Sequence, residues 1–317
     1  MKTNPTKSTT CLPTRHLLSR PTANFWLGTL AAAALPFAEG KAWADEAQSA
    51  PPPSRVNFLV DLTLSSHYLT PRGMDVSDQG LVLQPLILVL ANVYKSDGFL
   101  NDITLVGGVW NCFGTAKLPS STSAQATRTG WYEIDPIAGI SIGLAKNFKL
   151  SVTYTAFDMQ IYNIPFSQHL ETKLSYDDSG LLKAFALHPY VIFWQELNNK
   201  AVSISPGSVS KESYYFDVGI APGYTFKKFG SVKLEAPCRL LMANEDFYGT
   251  AAGDTPVVSL YEIGLKASMP LPFISSSYGH WSANLGVKYM NFQNPNLKIT
   301  QNESSSTVVY GGLSMFF

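Results

Sequence analysis

The sequence predicts an all-β fold: a transmembrane antiparallel β-barrel of about twelve strands in an up-and-down meander. Three observations carry that reading. Apolar and polar residues alternate with a period of two through one segment after another. The connections between these segments are short and long in turn. The chain ends in a strand whose last residue, Phe317, is aromatic. In that strand Val309, Leu313, Met315 and Phe317 share one face, while Tyr310, Gly312 and Ser314 share the other. A frayed apolar terminus gains nothing in water, whereas a terminal aromatic is at home where lipid meets water.

The N-terminus comes first in order. Lys2, Lys7, Arg15 and Arg20 form a basic leader, an apolar stretch runs from 25 to 38, and Ala42-Trp43-Ala44 follows. Basic region, apolar region and A-x-A site are the parts of a secretory signal. A membrane-anchoring helix would need about 20 apolar residues, and Pro36 and Glu39 interrupt this stretch. The expected organisation is a signal peptide over 1–44 cleaved near Ala44, a flexible Pro-rich linker over 45–54, and a barrel over 55–317. The whole chain has 23 basic and 23 acidic residues; without 1–44 it keeps 18 and 22. That mild acidity argues against a nucleic-acid partner. Cys11 leaves with the leader, and Cys112 and Cys238 lie in predicted strands, where pairing and free thiols both stay open. With no C-x-x-C and no Cys/His cluster, neither a metal site nor a cofactor is expected.

The predicted strands lie near 55–66, 80–93, 101–114, 131–144, 148–158, 169–177, 184–197, 213–226, 231–243, 257–269, 280–292 and 306–317. In the first, Val56, Phe58, Val60, Leu62 and Leu64 interleave with Asn57, Asp61, Thr63 and Ser65; the same pattern recurs from Phe148 to Ala156 and from Trp281 to Tyr289. Such lengths suit tilted membrane strands. Turn chemistry marks Lys95-Ser96-Asp97-Gly98, Ala145-Lys146-Asn147, Asp177-Asp178-Ser179-Gly180 and Lys227-Lys228-Phe229-Gly230. Longer polar loops are expected on the other side, at 117–130, 198–212 and 244–255 among others.

A barrel in lipid turns its apolar face outward, and a Lys or Arg on that face costs about 2–4 kcal/mol at the midplane. This register points Asp61, Glu133, Asp135, Glu171, Asp217, Glu235 and Glu262 inward, together with Lys149, Lys173, Lys233, Arg239, Lys266 and Lys288. These are the candidate pore-lining residues. Two readings stay open: cross-strand ion pairs that brace a narrow barrel, or a polar water-filled path. Bulky inward Trp110, Tyr190, Trp194 and Tyr215 keep occlusion open as well. Two aromatic girdles are expected, with Trp131, Tyr132, Tyr214, Tyr215, Tyr289 and Phe292 at one end and Tyr94, Phe148, Phe226, Phe229, Trp281 and Phe317 at the other.

Tyr68-Leu69-Thr70-Pro71-Arg72-Gly73, followed by Gln79-Gly80 and Gln84-Pro85, resembles the first hairpin of TorF-like porins, with one extra residue between Tyr68 and Arg72. Asn101 to Leu105, Gly108 to Asn111, Tyr154 to Asp158 and Tyr214 to Gly219 resemble a related group of exported bacterial barrels. The terminal strand resembles the signal recognised by the barrel-assembly machinery of bacterial outer membranes. These resemblances imply an outer-membrane barrel of a Gram-negative-type bacterium, with outer-membrane lipid and the assembly machinery as partners. They also imply a porin-like role in passive diffusion of small solutes. Arg72 would line the pore mouth or anchor the first loop by hydrogen bonds to carbonyls. A non-conducting structural or adhesive barrel is the alternative. A lipid hydrolase built on His280 and Ser282 is disfavoured: they lie on the inward face at the periplasmic end, and no Gly-x-Ser-x-Gly elbow is present. No enzyme activity is expected. His67, His169 and His188 have no evident partners and are expected as hydrogen-bonded filler.

Overall fold

The computed structural model describes residues 55–116, 130–160, 166–199, 212–249 and 256–317, except the side chain of Thr300. The expected signal peptide and linker, and most of the expected loops 117–130, 198–212 and 244–255, lie outside the described residues.

Period-two alternation becomes one closed sheet. In chain order come β1 (Val56–Ser65), the small hairpin β2 (Tyr68–Leu69) and β3 (Asp75–Ser77), then β4 (Val82–Lys95) and β5 (Leu100–Gly114). Next are β6 (Gly130–Leu144), β7 (Phe148–Met159), β8 (Ser167–Tyr176), the helical turn α1 (Ser179–Leu182) and β9 (Tyr190–Asn198). β10 (Tyr214–Ile220) and β11 (Gly223–Phe226) make one stave, and β12 (Val232–Glu235) and β13 (Cys238–Ala243) the next. The chain finishes with α2 (Glu245–Tyr248), β14 (Leu260–Pro270), β15 (His280–Phe292), α3 (Pro295–Gln301) and β16 (Ser305–Phe316). Every stave pairs antiparallel with its neighbours, and β1 pairs with both β4 and β16, so twelve staves close on themselves. Phe58 and Phe317 exchange backbone hydrogen bonds of 2.8 and 2.9 Å at the seam. Closure leaves no open edge of N–H and C=O groups for lipid to meet.

The strands follow the expected positions with two corrections. The segments expected as single strands over 213–226 and 231–243 are each interrupted, because Pro222 and Pro237 have no N–H to give to the ladder. Their carbonyls still accept, from Ala236 N and Gly264 N, both at 2.8 Å. The strand expected to start at 184 starts at Tyr190 instead. Before it the chain winds into α1, clasped by Asp178, whose carboxylate accepts from the N–H of Leu187 and of His188. A short acidic side chain that caps backbone donors competes with sheet pairing.

The outer face is apolar: Phe58, Leu62, Ile87, Val89, Leu105, Val218, Leu240, Ile263, Leu265 and Leu285 are all exposed. The inner face carries buried Thr63, Ser65, Gln84, Ser141, Ser151, Asp217, Arg239 and Lys288. A continuous exposed apolar band of this kind belongs against lipid. Among the described residues no helix is long and apolar enough to cross a membrane. The girdle expectation needs revision at one end. Trp131, Tyr214 and Tyr289 are exposed there, but Tyr132, Tyr215 and Phe292 are buried inside the barrel. Bulge-shifted register moves Tyr132 to the inner face, and the other two sit at inward positions of β10 and β15.

Candidate functional site

The connection between β1 and β4 does not stay outside. It turns back into the lumen as the β2–β3 hairpin, with a turn closed by Thr70 N to Met74 O at 2.7 Å and Gly73 N to Thr70 O at 3.0 Å. Gly73 has φ +82°, a conformation that favours glycine, and the space where a Cβ would stand is 3.0 Å from side-chain carbons of Leu260 and Leu297. The hairpin is held from several sides of the barrel. Arg239 Nη2 donates to Pro71 O at 2.6 Å, Lys288 Nζ to Leu69 O at 3.5 Å, and Tyr248 Oη to Arg72 O at 2.7 Å. Tyr68 Oη donates to Glu133, and Asp75 N donates to Gln301 Oε1 at 3.1 Å.

Helical turns cover the hairpin. Asn294 caps α3 by accepting from the N–H of Asn296 and Leu297, and Pro295 starts the helix where its missing N–H costs nothing. Leu297 of α3 and Phe247 and Tyr248 of α2 are fully buried with Leu69, Trp194, Tyr215, Leu241, Leu260 and Phe292. This apolar cluster fills the loop end of the lumen.

An aromatic belt is continuous with it. Phe157 of β7, His169 of β8, Trp194 of β9 and Tyr215 of β10 stand side by side, with ring centroids 4.1, 4.5 and 4.9 Å apart in that order. Phe247 meets Trp194 and Tyr215 edge-on. The Arg72 guanidinium lies 4.4 Å from the Phe157 centroid and 5.1 Å from that of Trp194.

The predicted inward residues fall into groups. Arg239 pairs with both Asp217 and, at 3.0 Å, Glu262, all on the inner face, and Lys288 is buried nearby on β15. Glu133 and Asp135 occupy successive inward positions of β6, are 3% and 5% exposed, and make no ion pair among the described residues. Glu171 and Lys173 sit at adjacent inward positions of β8, with the Lys173 ammonium 4.6 Å from the Tyr190 ring. Asp61 joins the seam: Thr63 Oγ1 donates to it, Ser314 Oγ donates to it at 2.6 Å, and Asn284 Nδ2 reaches Ser314 at 2.7 Å. Lys233 and Glu235 pair at 2.8 Å near the turn end, opposite Lys266, and Lys149 lies at the turn end of β7. This second group does not meet the hairpin.

Arg72 differs from both expectations. It is 7% exposed, so it does not edge the mouth, and its guanidinium stacks on rings where hydrogen bonds to carbonyls were expected. The loop is anchored through its own carbonyls instead, by Arg239 and Lys288. His169 also departs from expectation: it is stacked between two rings, and neither ring nitrogen has a hydrogen-bond partner. His188 does find partners, with Nδ1 3.7 Å from Asp177 and 3.9 Å from Asp178. These three residues bring one ligand atom each within 4.8 Å of one another. Asp178 is committed to its turn, however. Burial works against its charge, but the N–H groups of His188 and Leu187 outweigh that and hold its carboxyl below the usual range. Cys112 is buried on β5, Cys238 lies on β13, and both thiols are free. His280 is exposed at the start of β15, with Ser282 buried on the inner face.

Two groups in the hairpin have shifted acidity. Burial and the neighbouring Glu133 raise the Tyr68 phenol well above its usual value, so it stays a donor. Burial, then the charge of Asp78, push Asp75 up to about 7.

No protein-family model matches the sequence, and no curated protein matches it. Among solved structures it is similar to an outer membrane channel from Pseudomonas putida F1, at 13% identity and a TM-score of 0.46, covering 84% of this chain and 97% of that one. It is also similar to the transport unit of the autotransporter AIDA-I from Escherichia coli, at 10% identity and a TM-score of 0.40, covering 86% and 92%. The beta domain of a Bordetella autotransporter gives 10% identity and a TM-score of 0.41, covering 83% and 100%.

Proposed function

We propose that the chain is a porin-like channel of a bacterial outer membrane that passes small solutes by passive diffusion, with the β2–β3 hairpin as its constriction. The observation that carries this reading is a closed twelve-strand wall, apolar outside, whose inner face sets charged and hydroxyl side chains beside an apolar patch of Leu86, Leu88, Val106 and Ile137. Twelve strands fall between barrels filled by side chains and barrels that leave an open channel. A single hairpin held by a few polar contacts is enough to regulate such a lumen. The resemblance of residues 68–85 to TorF-like porins agrees with this role. We infer the same compartment and partners from the fold: the outer membrane, its lipid against the apolar band, and the assembly machinery reading the strand that ends at Phe317. No catalytic role enters the reading.

One observation favours the non-conducting alternative. The apolar cluster of Leu69, Phe247, Leu260 and Leu297 closes the loop end without a polar lining. Planar-bilayer recording separates the two. Stable single-channel steps from the refolded chain support the porin reading, with larger steps when residues 68–77 are replaced by a short Gly/Ser turn. A heat-modifiable folded barrel that conducts in neither form supports the structural alternative.

A further inference from the structure

Arg72 sits where a ligand would sit. Its guanidinium is buried, lies over the faces of Phe157 and Trp194, and is within electrostatic reach of the carboxylates of Glu133, Asp135 and Glu171. None of these acids forms a direct ion pair with it among the described residues. Arg72 is not part of the barrel wall. It reaches this place only because its hairpin is folded into the lumen, so the surroundings exist whether or not the guanidinium fills them. Aromatic faces with acids behind them are the chemistry that binds desolvated organic cations.

Unused hydrogen-bonding groups line the same place. Asp135 Oδ1 and both ring nitrogens of His169 have no hydrogen-bond partner, on residues 5% and 1% exposed. Buried acceptors without a partner call for an explanation. They are groups that a second occupant could satisfy.

We propose that the box formed by Phe157, His169, Trp194, Glu133, Asp135 and Glu171 is a binding site for small organic cations of the guanidinium or quaternary-ammonium class, which the chain keeps closed with its own Arg72. Its role as a station on a solute's route rests on the porin reading; the binding itself does not. Entry of a cation requires the hairpin to withdraw, which breaks the contacts of Arg239 and Lys288 with the carbonyls of Pro71 and Leu69.

The test uses the full mature chain refolded in detergent micelles. Arg72→Ala empties the box, and Arg72→Ser is a second small replacement that serves if the alanine variant folds poorly. Heat-modifiable mobility confirms the fold of each. Calorimetric titration with methylguanidinium, and separately with tetramethylammonium, is expected to show saturable binding to the variant and at least about tenfold weaker binding to the native chain. Neutral methylurea is expected not to bind. Trp194→Leu added to the Arg72 variant is expected to weaken the cation about tenfold. No saturable binding to either folded variant, or equal binding of methylurea, overturns the proposal. Cation binding by a barrel that shows no conductance would leave the box standing and remove the porin reading.

Discussion

Arg239 is the side chain on which most of the interior charge depends. It pairs with both Asp217 and Glu262, the latter also within reach of the Lys288 charge, and it holds the hairpin through Pro71 O. Arg239→Gln leaves two buried carboxylates without their cation, a change that costs about 3–5 kcal/mol when one partner of a buried pair is removed. Urea unfolding in micelles is expected to show that loss, whereas Lys233→Gln, which breaks a half-exposed pair, should cost less than about 1 kcal/mol. Tyr68→Phe is the finer probe. It removes one hydrogen bond and leaves Glu133 as a buried acceptor, for about 1–3 kcal/mol by the same assay. The inward register of these charges was readable from alternation alone, because a wrong register would place several of them in lipid. Which of them meet was not readable, since contact depends on where a loop folds. The Arg72 environment is the clearest case: nothing local to Tyr68–Gly73 marks Phe157 and Trp194 as its neighbours.

At the scale of elements, the β2–β3 hairpin has its own stability, separate from that of the wall. Asp75 links it to pH, opposed by His67, whose imidazole is held below its usual pKa by burial. In the docked hairpin its carboxyl titrates at about 7, above its ordinary value when free, because burial and Asp78 disfavour the charge. A raised carboxylate pKa means docking is most stable when Asp75 is protonated. Docking therefore loses stability as pH rises from about 4 toward 7 and changes little beyond. Glu303 and Lys288 also act on Asp75, the first raising and the second lowering its pKa. Limited proteolysis within 66–81 is expected to be faster at pH 8 than at pH 5, and Asp75→Asn should remove or reverse the difference, leaving the opposite contribution of His67. Gly73→Ala tests docking from the backbone side. It forces a side chain into φ +82° and against Leu260 and Leu297, costing about 1 kcal/mol or more. The expected result is easier cleavage of the hairpin at every pH, with the wall unchanged. Of the elements that build this region, α3 had a signal in the sequence, Asn294 followed by Pro295 as cap and first residue. A seven-residue helix is too short for periodicity to reveal, and α2 and the hairpin are shorter still.

For the whole molecule, the distribution of apolar surface decides the environment. The outer band runs around all twelve staves, and the inner face mixes charged and hydroxyl side chains with the buried Leu86, Leu88, Val106 and Ile137. Val89→Lys places a cation on the lipid face and is expected to cost about 2–4 kcal/mol near the midplane. Lys at the inward position of Ser151 should be tolerated better, and comparing folding yields into lipid vesicles checks the pair. The architecture was legible to this degree because lipid imposes strict rules: strands must alternate, close and end in short turns on one side. The interruptions at Pro222 and Pro237 were visible as residues, yet long apolar alternation on both sides hid their effect. The proposed channel is a closed wall around a conducting path narrowed by one hairpin. Single-channel recording of the native chain beside a chain lacking residues 68–77 tests it most directly. Small stable steps are expected from the first and several-fold larger ones from the second. Two folded barrels that are both electrically silent would contradict it.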